Sequence, residues 1–246
     1  MDKSIYLSMT GAKHTQLAQA VNSHNLANIN TPGFRADQVD FRSVFIDGSA
    51  QDSRIYNVVE GISSKRDSGS INATGNPLDV AIVGEGWLAV QGPDGSEAYT
   101  RAGNLRVGSG GLLTTGAGHP VLGDNGPIAI PPSASINIGE DGTVSIVAVG
   151  EDAENIAQVE RLKLVDAAPE EIKKSPDGLF RTTNGEPLEA DAGVRLSPGS
   201  LESSNLSAVE AMVTMIDLAR TYELQVRGMK TAQENDQADA KLLSLG

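Results

Sequence analysis

Gly84-Glu85-Gly86-Trp87-Leu88-Ala89 has the spacing G-x-G-x-x-[GA], with which a glycine-rich turn can bring backbone amides against a pyrophosphate. That chemistry also needs a helix N-terminus beneath the phosphates. Here the glycines are followed by Trp-Leu-Ala-Val-Gln, alternating before Pro93-Asp94-Gly95, so a strand and a turn are predicted and no cofactor is. The other groups able to do chemistry are His14, His24 and His119, with the carboxylates Asp124, Glu140 and Asp141. His14 and His24 would lie about three helical turns apart, and no two histidines share a metal-ligand spacing. The carboxylates fall in glycine-rich turns, where Asp is expected for local hydrogen bonding, although a pair of them could serve glycoside hydrolysis. There is no G-x-S-x-G elbow. The sequence thus predicts no catalytic residue, no metal ligand and no cofactor.

What must position these residues shows in the placement of glycine and proline. Residues 1–31 and 200–245 hold one glycine each, Gly11 and Gly228, and no proline; nearly all of the 27 Gly and 11 Pro lie between them. The expected fold class is therefore α+β: long N- and C-terminal helices with an all-β middle inserted between them. The expected boundaries are 1–34 for the first helix and its stop, 35–70 for an extended connector, 71–204 for the β-rich domain and 205–246 for the last helix.

The first helix is predicted from about Ser4 to Asn28, with Met9, Leu17, Ala20, Val21 and His24 near the 3.6 period. Thr31-Pro32-Gly33 should stop it, because proline disfavours helix in the residue before it and glycine accepts positive φ; Phe34 then packs back. The helix end is unusually rich in asparagine, at 22, 25, 28 and 30. Asn28 and Asn30 read as cap and turn residues tolerating left-handed φ, whereas Asn25, a turn earlier, reads as a partner for a neighbouring chain.

Ser207-Ala208-Val209-Glu210 fits a capping box for the last helix, which then runs to Leu243 with Gly228 as its single breaker. Gly228 reads either as a close approach of another helix or as an exposed weak spot. Apolar residues form two lines, Met212, Ile216, Ala219 and Val226 beside Met215, Leu218, Tyr222 and Met229, so partners are expected on more than one side. The candidate assembly interface comprises Met9, Leu17, Val21, Asn25, Asn28, Phe34, Met212, Ile216, Ala219, Tyr222, Val226 and Met229. Neither helix easily buries its face alone, so ordering on assembly is expected. In the middle, "INIGEDGTVSIVAV" predicts a hairpin, Ile136 and Ile138 on one arm, Asp141-Gly142 at the turn, Val144 and Ile146 on the other.

Composition closes off some classes. A net charge of −13 and a pI near 4.6 argue against nucleic acid as a partner. Absence of cysteine removes disulfides and thiolate metal sites. No apolar run approaches the 18 or so residues of a membrane span, and the first residues lack the apolar segment of a secretory signal. A cytoplasmic protein, or one exported by a route that reads no cleaved signal, is expected.

"NLANINTPGFR" (Asn25–Arg35) resembles the N-terminal motif of flagellar rod and hook proteins. "LDVAIVGEGWLAV", "YTRAGNLRV" and "GHPVLGDNGPIAIP" resemble their middle region, and "SNLSAVEAMVTMIDLARTYELQ" their C-terminal helix. The family's usual G-x-G-F-F is Gly84-Glu85-Gly86-Trp87-Leu88 here. The resemblance implies a non-catalytic axial subunit, its N- and C-terminal helices pairing as a coiled-coil-like inner domain around a channel and the β-rich middle facing outward. It also implies the flagellum-specific type III export apparatus, a place in the basal-body rod in the periplasm, and contacts with proximal and distal rod subunits and with copies of itself. A distal rod or hook-type subunit is the near alternative. A secreted wall-cutting hydrolase and a coiled-coil adhesin are the alternatives of other classes.

Overall fold

The computed structural model describes residues 4–45, 55–150, 155–168 and 170–243. The chain divides into two compact units, one of residues 1–28, 37–65 and 206–246, the other of residues 29–36 and 66–205.

The first unit is built on two helices, α1 (Ser4–Ala27) and α2 (Ala208–Leu243). Ser207 caps α2: its hydroxyl accepts the Glu210 amide at 3.4 Å, as Ser-x-x-Glu predicts. At 36 residues, α2 is roughly 54 Å long. The helices pack antiparallel, which three approaches along their length establish. Asn22 Nδ2 donates to the Ala211 carbonyl at 2.8 Å, Gly11 faces Gln225, and Gly228 faces Ser8. A Cβ at Gly11 would come within 2.9 Å of the Gln225 side chain, and one at Gly228 within 3.0 Å of Ser8 Oγ. Of the two readings of Gly228, the close helix approach is therefore the one found.

On α2 the buried or half-buried residues Ala208, Ala211, Met215, Leu218, Gln225, Met229 and Ala232 recur at steps of three and four, with one step of seven from Leu218 to Gln225, as a stripe on the side of α1. The matching face of α1 is small, with Ser8, Gly11, Ala12, Thr15, Ala18 and Asn22, so larger α2 side chains enter it closely.

Residues 37–45 and 55–64, expected as part of an extended connector, are extended but paired. Strands β1 (Asp37–Phe45) and β2 (Ile55–Ser64) form an antiparallel hairpin that belongs to the helical unit, with the His14 ring 5.4 Å from that of Phe41.

The second unit is all β. Its central sheet orders the strands Leu164–Val165, Trp87–Gln91, Glu97–Thr100, Phe180–Thr182 and Ile172–Lys174. A three-stranded sheet contains the hairpin read from the sequence, with Ile136 opposite Ile146 and Ile138 opposite Val144. Between the sheets lies an aliphatic core of Val80, Leu88, Val90, Leu113, Val121 and Ile128, among others. A second cluster surrounds Trp87, Tyr99 and Phe180, with the Trp87 and Phe180 rings 4.3 Å apart.

The Tyr99 hydroxyl donates to Glu97 at 2.9 Å and accepts the Leu188 amide at 2.8 Å. Burial, and secondarily Glu97, pushes the phenol well above its ordinary value of 10.0. Because the folded chain holds this proton more tightly than the unfolded one, the stability Tyr99 contributes is complete below pH ~10 and declines as pH rises beyond it. Tyr99→Phe is expected to flatten that alkaline decline, read as the urea midpoint followed from neutral to alkaline pH.

Candidate assembly surface

The asparagine-rich end of α1 ties the helical unit together. Asn25 is buried, and its amide bonds Asp37 twice: Nδ2 donates to the Asp37 carbonyl and Oδ1 accepts the Asp37 amide, both at 2.8 Å. His24 Nδ1 lies 2.9 Å from Asp37 Oδ2. Asn22 holds α2 through Ala211. Asn28 caps its own helix, Nδ2 donating to the His24 carbonyl at 3.0 Å and its backbone amide reaching Asn25 O at 3.0 Å.

One sequence expectation is corrected here. No residue other than glycine among those described has positive φ, so Asn28 caps by its side chain and not by a left-handed backbone; Gly33, at φ 67°, makes the turn. Asn25, expected to meet a neighbouring chain, uses one N–H and one acceptor site of its amide within its own chain. Its two bonds pin β1 to the helix end, and Asn25→Ala should lower stability by about 1–3 kcal/mol by stranding the Asp37 groups. The urea midpoint measures it.

Phe34 is likewise engaged by its own unit. Lys174 Nζ sits 4.0 Å from the Phe34 ring centroid and donates to the Arg35 carbonyl at 2.7 Å. Beneath it lies a buried ionic cluster that sequence reading missed. Glu202 Oε1 pairs with Arg35 Nη1 at 2.8 Å and Oε2 with Arg101 Nε at 2.7 Å, all three side chains at most 3% exposed. Arg101 then donates to the carbonyls of Gly86, Gly84 and Ile82 at 2.7, 2.8 and 3.1 Å. The Gly84–Gly86 loop therefore turns carbonyls toward a guanidinium, the opposite polarity to a phosphate cradle, and it leads into a strand and not a helix.

The remaining groups with chemical potential have local roles. Asp141 accepts both the amide and the hydroxyl of Thr143, which hold its carboxyl below the usual range, as in a turn and against what a general acid requires. His119 takes part in a turn, its amide donating to Thr115 Oγ1 at 3.2 Å. Among the described residues no three of His, Asp and Glu converge as metal ligands. No helix among them is long and apolar enough to cross a membrane.

What is left open is an apolar surface on the helices. Val209 is 72% exposed, and Met212, Val213 and Ile216 are each more than half exposed. Steps of three and four put these four on one face, beside the stripe that meets α1. Tyr222, Val226 and Met9 are also exposed, whereas Leu17, Val21, Ala219 and Met229 are half-buried.

A long helix pair with an uncovered apolar face, joined to a β-rich unit whose charged residues hold its own backbone, defines a structural protein of an assembly. Residues 5–35 match the family described as flagella basal body rod protein, 81–146 the flagellar hook protein FlgE/F/G D1 domain, and 197–242 the flagellar basal body rod FlgEFG protein C-terminal region. The chain belongs to the flagellar basal-body rod protein family. It is 43% identical to the flagellar basal-body rod protein FlgF of Salmonella typhimurium and 42% identical to that of Escherichia coli, each over the full length of both chains. To the rod protein FlgG of Bacillus subtilis it is 32% identical, covering 95% of this chain and 96% of that one.

Proposed function

We infer that this chain is a structural subunit of the bacterial flagellar basal-body rod, and that it stands in the proximal rod with FlgF. Full-length identity of 43% and 42% to the FlgF of Salmonella typhimurium and Escherichia coli, above the 32% to the FlgG of Bacillus subtilis, supports the assignment. In this reading the subunit is not an enzyme. It polymerises helically with copies of itself and with other rod subunits, transmits torque, and helps to enclose the export channel. The helical unit is the inner layer, α1 and α2 forming a coiled coil that meets further helices of neighbouring subunits. The β-rich unit is the outer layer. The chain reaches the periplasm through the type III export apparatus, without a cleaved signal.

The observation that carries the mechanism is the exposed stripe Val209, Met212, Val213 and Ile216. An open helical array needs heterologous contacts, in which one surface of a subunit meets a different surface of the next. A half-exposed isoleucine in the free chain that becomes buried between subunits has a specific signature on substitution. Ile216→Asp should leave the denaturation midpoint of the free chain within about 0.5 kcal/mol of the parent. In the rod it would bury an unpaired carboxylate at a cost of several kcal/mol, and rods should not form. Basal bodies isolated from cells carrying the variant, together with swimming in soft agar, test this. Normal rods and normal swimming would remove Ile216 from the interface.

A further inference from the structure

We propose that the pocket between Arg35, Arg66 and Arg101 in the β-rich unit binds a small inorganic anion of halide size. The pocket is lined by these three arginines, by Trp87 and by the Gly84–Gly86 loop, and encloses about 70 Å³, several times what one water needs. Its charge is unbalanced. Arg35 and Arg101 are both buried, with Glu202 as the one buried carboxylate between them. These three side chains together carry one net positive charge, beside a pocket that opens to solvent where the exposed Arg66 and Ser68 line it.

The hydrogen bonds point the same way. Arg101 is used by Glu202 and three carbonyls. Arg35 Nη1 serves Glu202 and the Asp67 carbonyl, but Arg35 Nε is buried and finds no acceptor among the described protein atoms. A buried guanidinium N–H in that condition calls for a partner. Burial and the neighbouring Arg101 also depress the Arg35 pKa, and an anion beside it would oppose both effects. Glu85 at the rim, Asp67 near Arg35 and Glu170 near Arg66 supply negative charge too, but all three side chains are exposed and screened by solvent. With the Arg101 donors taken, few N–H groups remain, which suits a monovalent halide better than a multiply charged oxyanion.

Trp87, the chain's one tryptophan, lines the pocket and is 6% exposed, so it reports occupancy directly. Iodide titrated into the full chain at constant ionic strength should quench its fluorescence saturably, chloride should reverse the quenching, and caesium should quench little. Arg66→Gln leaves the Glu202 pairs intact and should raise the iodide midpoint about tenfold, one guanidinium contact being worth roughly that factor. Non-saturating quenching that is equal for iodide and caesium would overturn the proposal, as would an unchanged midpoint in Arg66→Gln.

Discussion

Glu202→Ala is expected to unfold the β-rich unit at temperatures where the parent chain is fully native. The carboxylate is about 1% exposed and is shared by Arg35 and Arg101, while its Oε1 also accepts the Gly69 amide at 3.0 Å. Forming such a cluster gains little over an apolar core, since desolvation offsets attraction; breaking it is another matter. Removing the one carboxylate strands two buried guanidiniums, at about 3–5 kcal/mol, a large share of a domain's total stability. Near-ultraviolet circular dichroism of Trp87, which lies 6.0 Å from the Arg101 guanidinium carbon, follows the loss. A midpoint within about 1 kcal/mol of the parent would mean the cluster is not the organising contact described here.

Gly33→Ala should be comparably severe for a different reason. Gly33 has φ 67°, where a Cβ clashes with its own backbone, and a Cβ there would also overlap the carbonyl carbon and oxygen of Arg101. The left-handed conformation alone costs an alanine about 1–2 kcal/mol, and overpacking against backbone adds about 1–3 more. The Gly33 amide donates to the Glu202 carbonyl at 2.8 Å, so any shift that relieves the clash disturbs the same residue that holds the arginines. Gly33→Ala and Glu202→Ala should therefore combine less than additively, which a double-mutant cycle on urea midpoints measures.

The helices and the Ile136–Ile146 hairpin were legible because their signals are local. A capping box, a proline-glycine stop and an Asp-Gly turn each act within a few residues. The β1–β2 hairpin was not legible. A bulge between Asp40 and Phe41 shifts its register, and Phe41, Val58 and Ile62 stay exposed, so no alternation of apolar and polar residues marks it. The asparagines of α1 could be recognised as an unusual helix end, but the Asp37 backbone that Asn25 serves follows a turn whose path spacing does not give. The arginine cluster left no trace in the sequence, for Arg101 and Glu202 stand 101 positions apart and each reads alone as a surface charge. Of the exposed stripe of α2, Met212 and Ile216 were legible on one of two apolar lines, whereas Val209 and Val213 were missed. Which residues of the two lines turned outward depended on where the small residues of α1 receive α2.

Asn205 has a consequence for how force crosses the β-rich unit. Its Oδ1 accepts the Ala36 amide at 2.9 Å, its Nδ2 donates to the Asp67 carbonyl at 2.9 Å, and its own amide reaches the Phe34 carbonyl at 3.4 Å. Three of the four places where the chain passes into or out of that unit, at Ala36, Asp67 and Asn205 itself, are thus joined at one residue. Tension arriving along any one strand is shared in parallel by all three and does not peel them in turn, so the join yields only when several bonds shear together. Reversing the load changes which strand is pulled and leaves the number resisting it the same.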